Sequence, residues 1–273
     1  MKTYLKCGLV LGLFVLGAAS AYATGSDPGL LYIVDDTGNL GTVNLNTDAV
    51  TVIGNAGVTL TDIAFTSNGN LYGTSVTHLY SVNQTTGAAT NIAGYGAVGS
   101  GEITALAGDG SVLYAASGKT PDLYEINPSP FSITTLTGST PHASAGDLAA
   151  SVSLGGVMYD SLTNGELAEL TISGNTFTTT DVGNMKVNGV GSSLGNVYGL
   201  AFGANGVLYA IADTEIYSVN LSNANLTPVF NYSGHGLAKD NGAASLVVPE
   251  PGSLPLLLAG LLGLALYRRR ARA

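Results

Sequence analysis

Five apolar–Tyr pairs recur along the chain: Leu31-Tyr32, Leu71-Tyr72, Leu113-Tyr114, Met158-Tyr159 and Leu208-Tyr209, with Tyr spacings of 40, 42, 45 and 50 residues. Eight to ten residues after each pair comes a second short alternating segment: Leu40 to Asn44, Leu79 to Asn83, Leu123 to Asn127, Leu167 to Thr171 and Ile216 to Asn220. A polar turn and a Thr-rich segment follow, at 49–53, 89–93, 132–136, 176–181 and 225–230. Ahead of four of the pairs lies an Ala-rich segment, at 62–65, 104–107, 148–151 and 198–202. Turn residues such as Ser67-Asn68-Gly69-Asn70, Asp109-Gly110 and Ala204-Asn205-Gly206 fill the gaps. Four short strands per unit, repeated every 40 to 50 residues, predict the blades of an all-β propeller.

The strand types fit their expected places. Strands crowd towards a propeller axis, so a small Ala side chain suits the innermost position. Tyr on the next strand offers packing area and a hydroxyl that can reach a polar partner. The chain has no Trp, hence no Trp-Asp pair, and is not a standard WD40 array. The first unit lacks an innermost strand: after Ala23 only six residues precede Leu30. The missing piece is at the other end, where Ala243 to Val248 reads AASLVV. Circular closure follows, with the C-terminal strand completing the N-terminal blade and leaving no open sheet edge. Residues 24–248 then divide into five four-stranded blades of about 45 residues. A β-sandwich and a parallel solenoid stay open as alternatives, although solenoid coils are shorter than this and a sandwich need not repeat. A domain of this size buries roughly 70% of its unfolded surface and folds without staples.

Charge bounds the partners. The chain carries 18 Asp+Glu against 9 Lys+Arg. Between Asp27 and Glu250 only Lys119, Lys186 and Lys239 face all 18 acids, a net −15. Such a surface repels phosphate and argues against a nucleic-acid partner. The single cysteine, Cys7, lies in a segment read as cleaved, so the mature chain is expected to have no disulfide, thiolate metal site or cysteine nucleophile.

Both ends read as addresses. Residues 1–23 have the form of a secretory signal: Lys2 and Lys6, a short apolar run from Leu9 to Leu16, and a small-x-small cleavage site at Ala21-Tyr22-Ala23. Cys7 precedes that run, which rules out a lipoprotein signal. At the other end, Val248-Pro249-Glu250-Pro251 is extended punctuation. The uncharged stretch Leu254 to Tyr267 predicts a transmembrane helix, and Arg268, Arg269, Arg270 and Arg272 form a stop signal held on the cytoplasmic side. Fourteen residues give a helix of about 21 Å against roughly 30 Å of hydrocarbon, short for a permanent anchor.

This order of parts, over residues 249–273, resembles the PEP-CTERM sorting signal of Gram-negative bacteria. The resemblance implies that Pro249, Glu250 and Pro251 are the motif met by an exosortase-type membrane enzyme. It also implies processing at this signal and delivery to the cell surface or beyond, in company with exopolysaccharide.

Several motifs imitate chemistry. Gly94 to Gly99 matches G-x-G-x-x-G, but a strand-like segment follows where a dinucleotide fingerprint needs a helix N-terminus. Gly191 to Gly195 matches G-x-S-x-G around Ser193, again without the helix that a nucleophile elbow requires. His78, His142 and His235 show no metal-ligand spacing. Asp35-Asp36-Thr37-Gly38-Asn39 is oxygen-rich, as a weak calcium loop is, yet lacks the EF-hand ligand series. Asp62 and Asp147, near the starts of innermost strands, are candidates to face a central channel. No catalytic residue, cofactor or metal site is assigned from sequence. The expected function is that of an exported, non-enzymatic envelope or matrix protein with a structural or adhesive role. A calcium-dependent carbohydrate-binding module and a polysaccharide-active enzyme on the same scaffold are the alternatives.

Overall fold

A computed structural model describes residues 29–96, 102–151, 157–195 and 197–246. The signal cleavage residues Ala21 and Ala23, the motif Pro249–Pro251, the apolar helix and the arginine cluster lie outside these residues.

The described chain is all strand and turn. The first blade takes β1 (Leu30–Asp35), β2 (Asn39–Asn44) and β3 (Ala49–Asn55). The second is β4 (Asp62–Phe65), β5 (Leu71–Thr74), β6 (His78–Val82) and β7 (Ala89–Gly94). The third is β8 (Ile103–Asp109), β9 (Val112–Ser117), β10 (Leu123–Pro128) and β11 (Phe131–Thr135). The fourth is β12 (Ser144–Ser151), β13 (Val157–Leu162), β14 (Glu166–Ser173) and β15 (Thr176–Asn184). A two-residue strand, β16 (Lys186–Val187), precedes the fifth blade of β17 (Val197–Phe202), β18 (Leu208–Ala212), β19 (Glu215–Val219) and β20 (Asn225–Asn231). Last comes β21 (Asp240–Ala244).

Each blade is an antiparallel meander, and together they form a five-bladed propeller. The ring closes as the repeat requires: β21 pairs with β1 and completes the first blade in the order β21-β1-β2-β3. The closing strand begins three residues earlier than the segment expected at Ala243 to Val248. Asp240 already pairs with Asp35, and an irregularity between Val34 and Asp35 admits the extra residue. A second departure is β16, which runs parallel to β20 and widens the fifth blade to five strands.

One register unites the blades. The small residue of the innermost strand stands opposite the Tyr of the next: Ala64 opposite Tyr72, Ala107 opposite Tyr114, Ala149 opposite Tyr159, Ala201 opposite Tyr209 and Ala244 opposite Tyr32. The cross-strand pair lets a large ring cover a methyl. Four of these tyrosines are buried and Tyr32 is half-buried. Tyr114 and Tyr159 pass their hydroxyls to Glu125 Oε2 at 3.4 Å and Glu169 Oε2 at 3.0 Å on the neighbouring third strands.

The core is divided among the blade-to-blade seams. Leu31, Ile33 and Tyr209 share the seam between the first and fifth blades, whereas Leu60, Ile63 and Leu40 share that between the first and second. The innermost strands all run one way, from an entry face, where Asp62 and Asp240 begin their strands, to an exit face, where Phe65 and Ala244 end theirs. β1 starts beside the end of β21, so the described chain begins and ends on the exit face.

Candidate functional site

The axis follows from the register. Two residues before each small partner of Tyr stand Asp62, Ala105, Asp147, Gly199 and Gly242, one per blade. Two of the five are acids, and both are fully buried. The sequence offers Asp62 and Asp147 as candidates to face a central channel; both stand on innermost strands but are sealed from solvent and outside the funnel that opens on the exit side, and the geometry shows what they do there. Asp62 Oδ2 accepts from the amide of Leu106 in the third blade at 2.5 Å, and its Oδ1 accepts from Ile63 N at 2.6 Å. Asp147 Oδ2 accepts from Leu200 N in the fifth blade at 2.6 Å and from Ala243 N in the first at 3.0 Å. An innermost strand has an unpaired edge, and its amides need acceptors. Two carboxyls supply them for four of the five blades.

At Gly242 the space of a side chain is taken by Asp62. A Cβ on Gly242 would stand 2.4 Å from both Cα and Oδ1 of Asp62. Burial lifts the Asp62 carboxyl well above the ordinary carboxylate range. The charge and hydrogen bond of Asp147 add to this, against the pull of the Leu106 and Ile63 amides. Burial lifts Asp147 likewise, against the amides of Leu200 and Ala243. The two carboxyl groups are within hydrogen-bond reach of each other.

On the exit side of this pair the axis opens into a funnel of about 250 Å³. Its wall is the ring Ala64, Ala107, Ala149, Ala201 and Ala244 with Phe65 and Phe202, and Thr66, Ser67, Asp109 and Ser245 also line it. Ser245 Oγ donates to the carbonyl of Phe202, tying the closing strand to the fifth blade.

Two further buried acids escaped the sequence reading. Asp160, on β13, accepts from Ser144 Oγ at 2.7 Å through Oδ1, and its Oδ2 has no hydrogen-bond partner. Burial pushes its carboxyl up to about 8 despite the serine. Asp240 is buried against Gly199 with neither oxygen hydrogen-bonded, and burial followed by the charge of Asp213 lifts it well above the usual range. A signal for Asp160 existed. It directly follows Tyr159, where the other units carry Ile33, Gly73, Ala115 and Ala210.

The imitation motifs resolve plainly. Asp35 turns into its own loop, taking Thr37 N at 3.0 Å, Thr37 Oγ1 at 2.7 Å and Asn39 N at 2.8 Å on Oδ1. Ala238 N reaches its Oδ2 at 3.0 Å. Burial alone would raise this carboxyl, but the donors outweigh it and hold it below its ordinary value. The turn is therefore a self-capped Asx loop. Gly94 ends β7, and the next described element is the strand β8. Ser193 Oγ lies 3.2 Å from Asn184 Oδ1, beside the turn at Gly165. His78 lies on the second blade, with Thr77 Oγ1 2.8 Å from its Nδ1. His142 precedes the fourth blade, and the His235 ring tilts against Phe230. Among the described residues no three His, Cys, Asp or Glu side chains gather as a metal cluster. No helix among them is long and apolar enough to cross a membrane.

No family model and no curated protein matches the chain. Solved structures do. One is a symmetrical protein studied for its de novo evolutionary emergence, 20% identical, with 81% of this chain and 99% of the other covered and a TM-score of 0.53. Another is a chain of the nidogen/laminin complex, 14% identical over 81% of this chain and 99% of the other, with a TM-score of 0.54. A protein of unknown function from Bacteroides thetaiotaomicron is 16% identical at a TM-score of 0.51, and the match spans 71% of this chain and about half, 53%, of its length. At these identities the likeness is one of fold.

Proposed function

We propose that this chain is an exported, non-catalytic propeller, sorted through a PEP-CTERM-type signal to the cell surface or the extracellular matrix, where it serves a structural or adhesive role. The observation that supports this reading is where the ring finishes. β21 ends at Ala244, and Leu246 still packs against the seam between the first two blades. The motif Pro249-Glu250-Pro251 begins three residues later. The ring of described residues is thus closed before residue 249, and a sorting segment at 249–273 follows a completed domain.

The order of the address then has a physical logic. Arg268 to Arg272 resist crossing the membrane, which holds Leu254 to Tyr267 in the bilayer and the Pro-Glu-Pro motif just outside it. An exosortase-type membrane enzyme meets the motif there. The non-catalytic reading draws on the ring of Ala side chains that forms most of the funnel wall, and on Asp62 and Asp147, which solvent does not reach. Exopolysaccharide is the partner this destination suggests.

Fractionation of an exosortase-bearing host tests the reading. The wild-type chain is expected at the cell surface or in the medium. A chain lacking residues 249–273 is expected in the periplasm, and Glu250→Ala in the inner membrane. Identical distributions for all three would refute the sorting role.

A further inference from the structure

Asp147 Oδ1 is a fully buried carboxyl oxygen that no amide or hydroxyl of the described residues reaches, although its partner Oδ2 receives two amides. Its carboxyl meets that of Asp62 across the axis. A second observation comes from the strand edges. The amides of Leu106, Leu200 and Ala243 point at these carboxyls. Within a strand, a residue's N–H and C=O point to the same side. The carbonyls of these three residues therefore also face the axis. Each stands on the exit side of its own amide, because the innermost strands run that way. The shared register gives Ile63 and Leu148 the same orientation, and all five residues line the funnel.

We propose that the Asp62–Asp147 pair and this ring of inward carbonyls hold one hard, oxygen-seeking cation of the calcium class on the propeller axis. The donor set is oxygen only, from side chains below and backbone above, which suits a hard cation and no thiophilic one. With only two acids on the axis, the backbone must supply most of the ligands. The equivalent positions in the other three blades, Ala105, Gly199 and Gly242, carry no polar side chain to compete. A dication also neutralises two carboxylates that a dry interior cannot hold charged side by side. This inference does not depend on how the chain is sorted.

The test uses the full-length chain, stripped with a chelator and dialysed against calcium chloride. One calcium per chain is expected to be retained, with Tm raised by about 5 °C at saturating calcium. Asp147→Asn keeps an acceptor for the Leu200 and Ala243 amides and is expected to lose both effects. Asp62→Asn provides the same comparison should the first variant fail to fold. The proposal is overturned if the wild-type chain retains no stoichiometric calcium and melts unchanged. It is equally overturned if a folded variant binds calcium as the wild type does, since the ion would then lie elsewhere.

Discussion

Asp160 and Asp35 are both fully buried, and they pull stability in opposite directions with pH. The Asp160 carboxyl is raised to about 8 by burial, with one serine donor to oppose it. Its unfolded value is about 3.9. The native chain therefore holds this proton longer than the unfolded chain does. The stability tied to it is complete below about pH 4 and is lost as pH rises towards 8. Asp35, held low by its loop donors, contributes stability above its unfolded value, and this is lost as pH falls through its folded one. Optimal stability is expected in mild acid. Asp160→Asn keeps an acceptor for Ser144 and removes the ionisable group. Thermal melts between pH 5 and 9 in the presence of chelator are expected to flatten in this variant, with Tm several degrees above wild type at pH 9. An unchanged pH profile would mean that Asp160 is not the group responsible.

Among elements, the third strands show how much of the fold is legible in the residues. Four of them carry an Asn at or next to their last residue, at Asn44, Asn83, Asn127 and Asn220, and each side chain caps the turn that follows. The period and the Ala–Tyr pairing could be read because they repeat. β16 could not, because Lys186-Val187 occurs once and its parallel partner, Asn225-Leu226, lies about 40 residues on. The axial duty of Asp62 and Asp147 was half legible: their position is set by register, but three of the four amides that they cap come from other blades. Seams between blades also depend on single glycines that composition hides among 38. A Cβ on Gly108 would stand 1.8 Å from the carbonyl oxygen of Phe65 in the neighbouring blade. Gly108→Ala is accordingly expected to cost about 3 kcal/mol, measured by denaturant unfolding. Removal of residues 240–246 should do more, since it exposes the edge of β1 and strips Asp147 of the Ala243 amide. A truncated chain that melts cooperatively at the wild-type temperature would contradict closure as the basis of stability.

For the whole molecule, the two faces differ. Among the described residues, the exit-face ends and turns of the strands carry charge only at Asp48 and Asp109, with Asn, Ser, Thr and Gly dominating. The entry face carries Asp36, Lys119, Asp122, Asp213 and Lys239, including the exposed pair Lys239–Asp213 at 2.8 Å. The described chain also starts and stops on the exit face, the one with the fewer charges. Closure by β21 is a property of the ring; under the proposed sorting, the chain crosses the membrane before the ring closes, and the address that follows is removed. Intact-mass measurement of the protein recovered from the surface of an exosortase-bearing host tests it most directly. The account predicts a chain that begins at Thr24 and lacks the helix and arginine cluster beyond the Pro249–Pro251 motif. A surface form that still ends at Ala273 would contradict it.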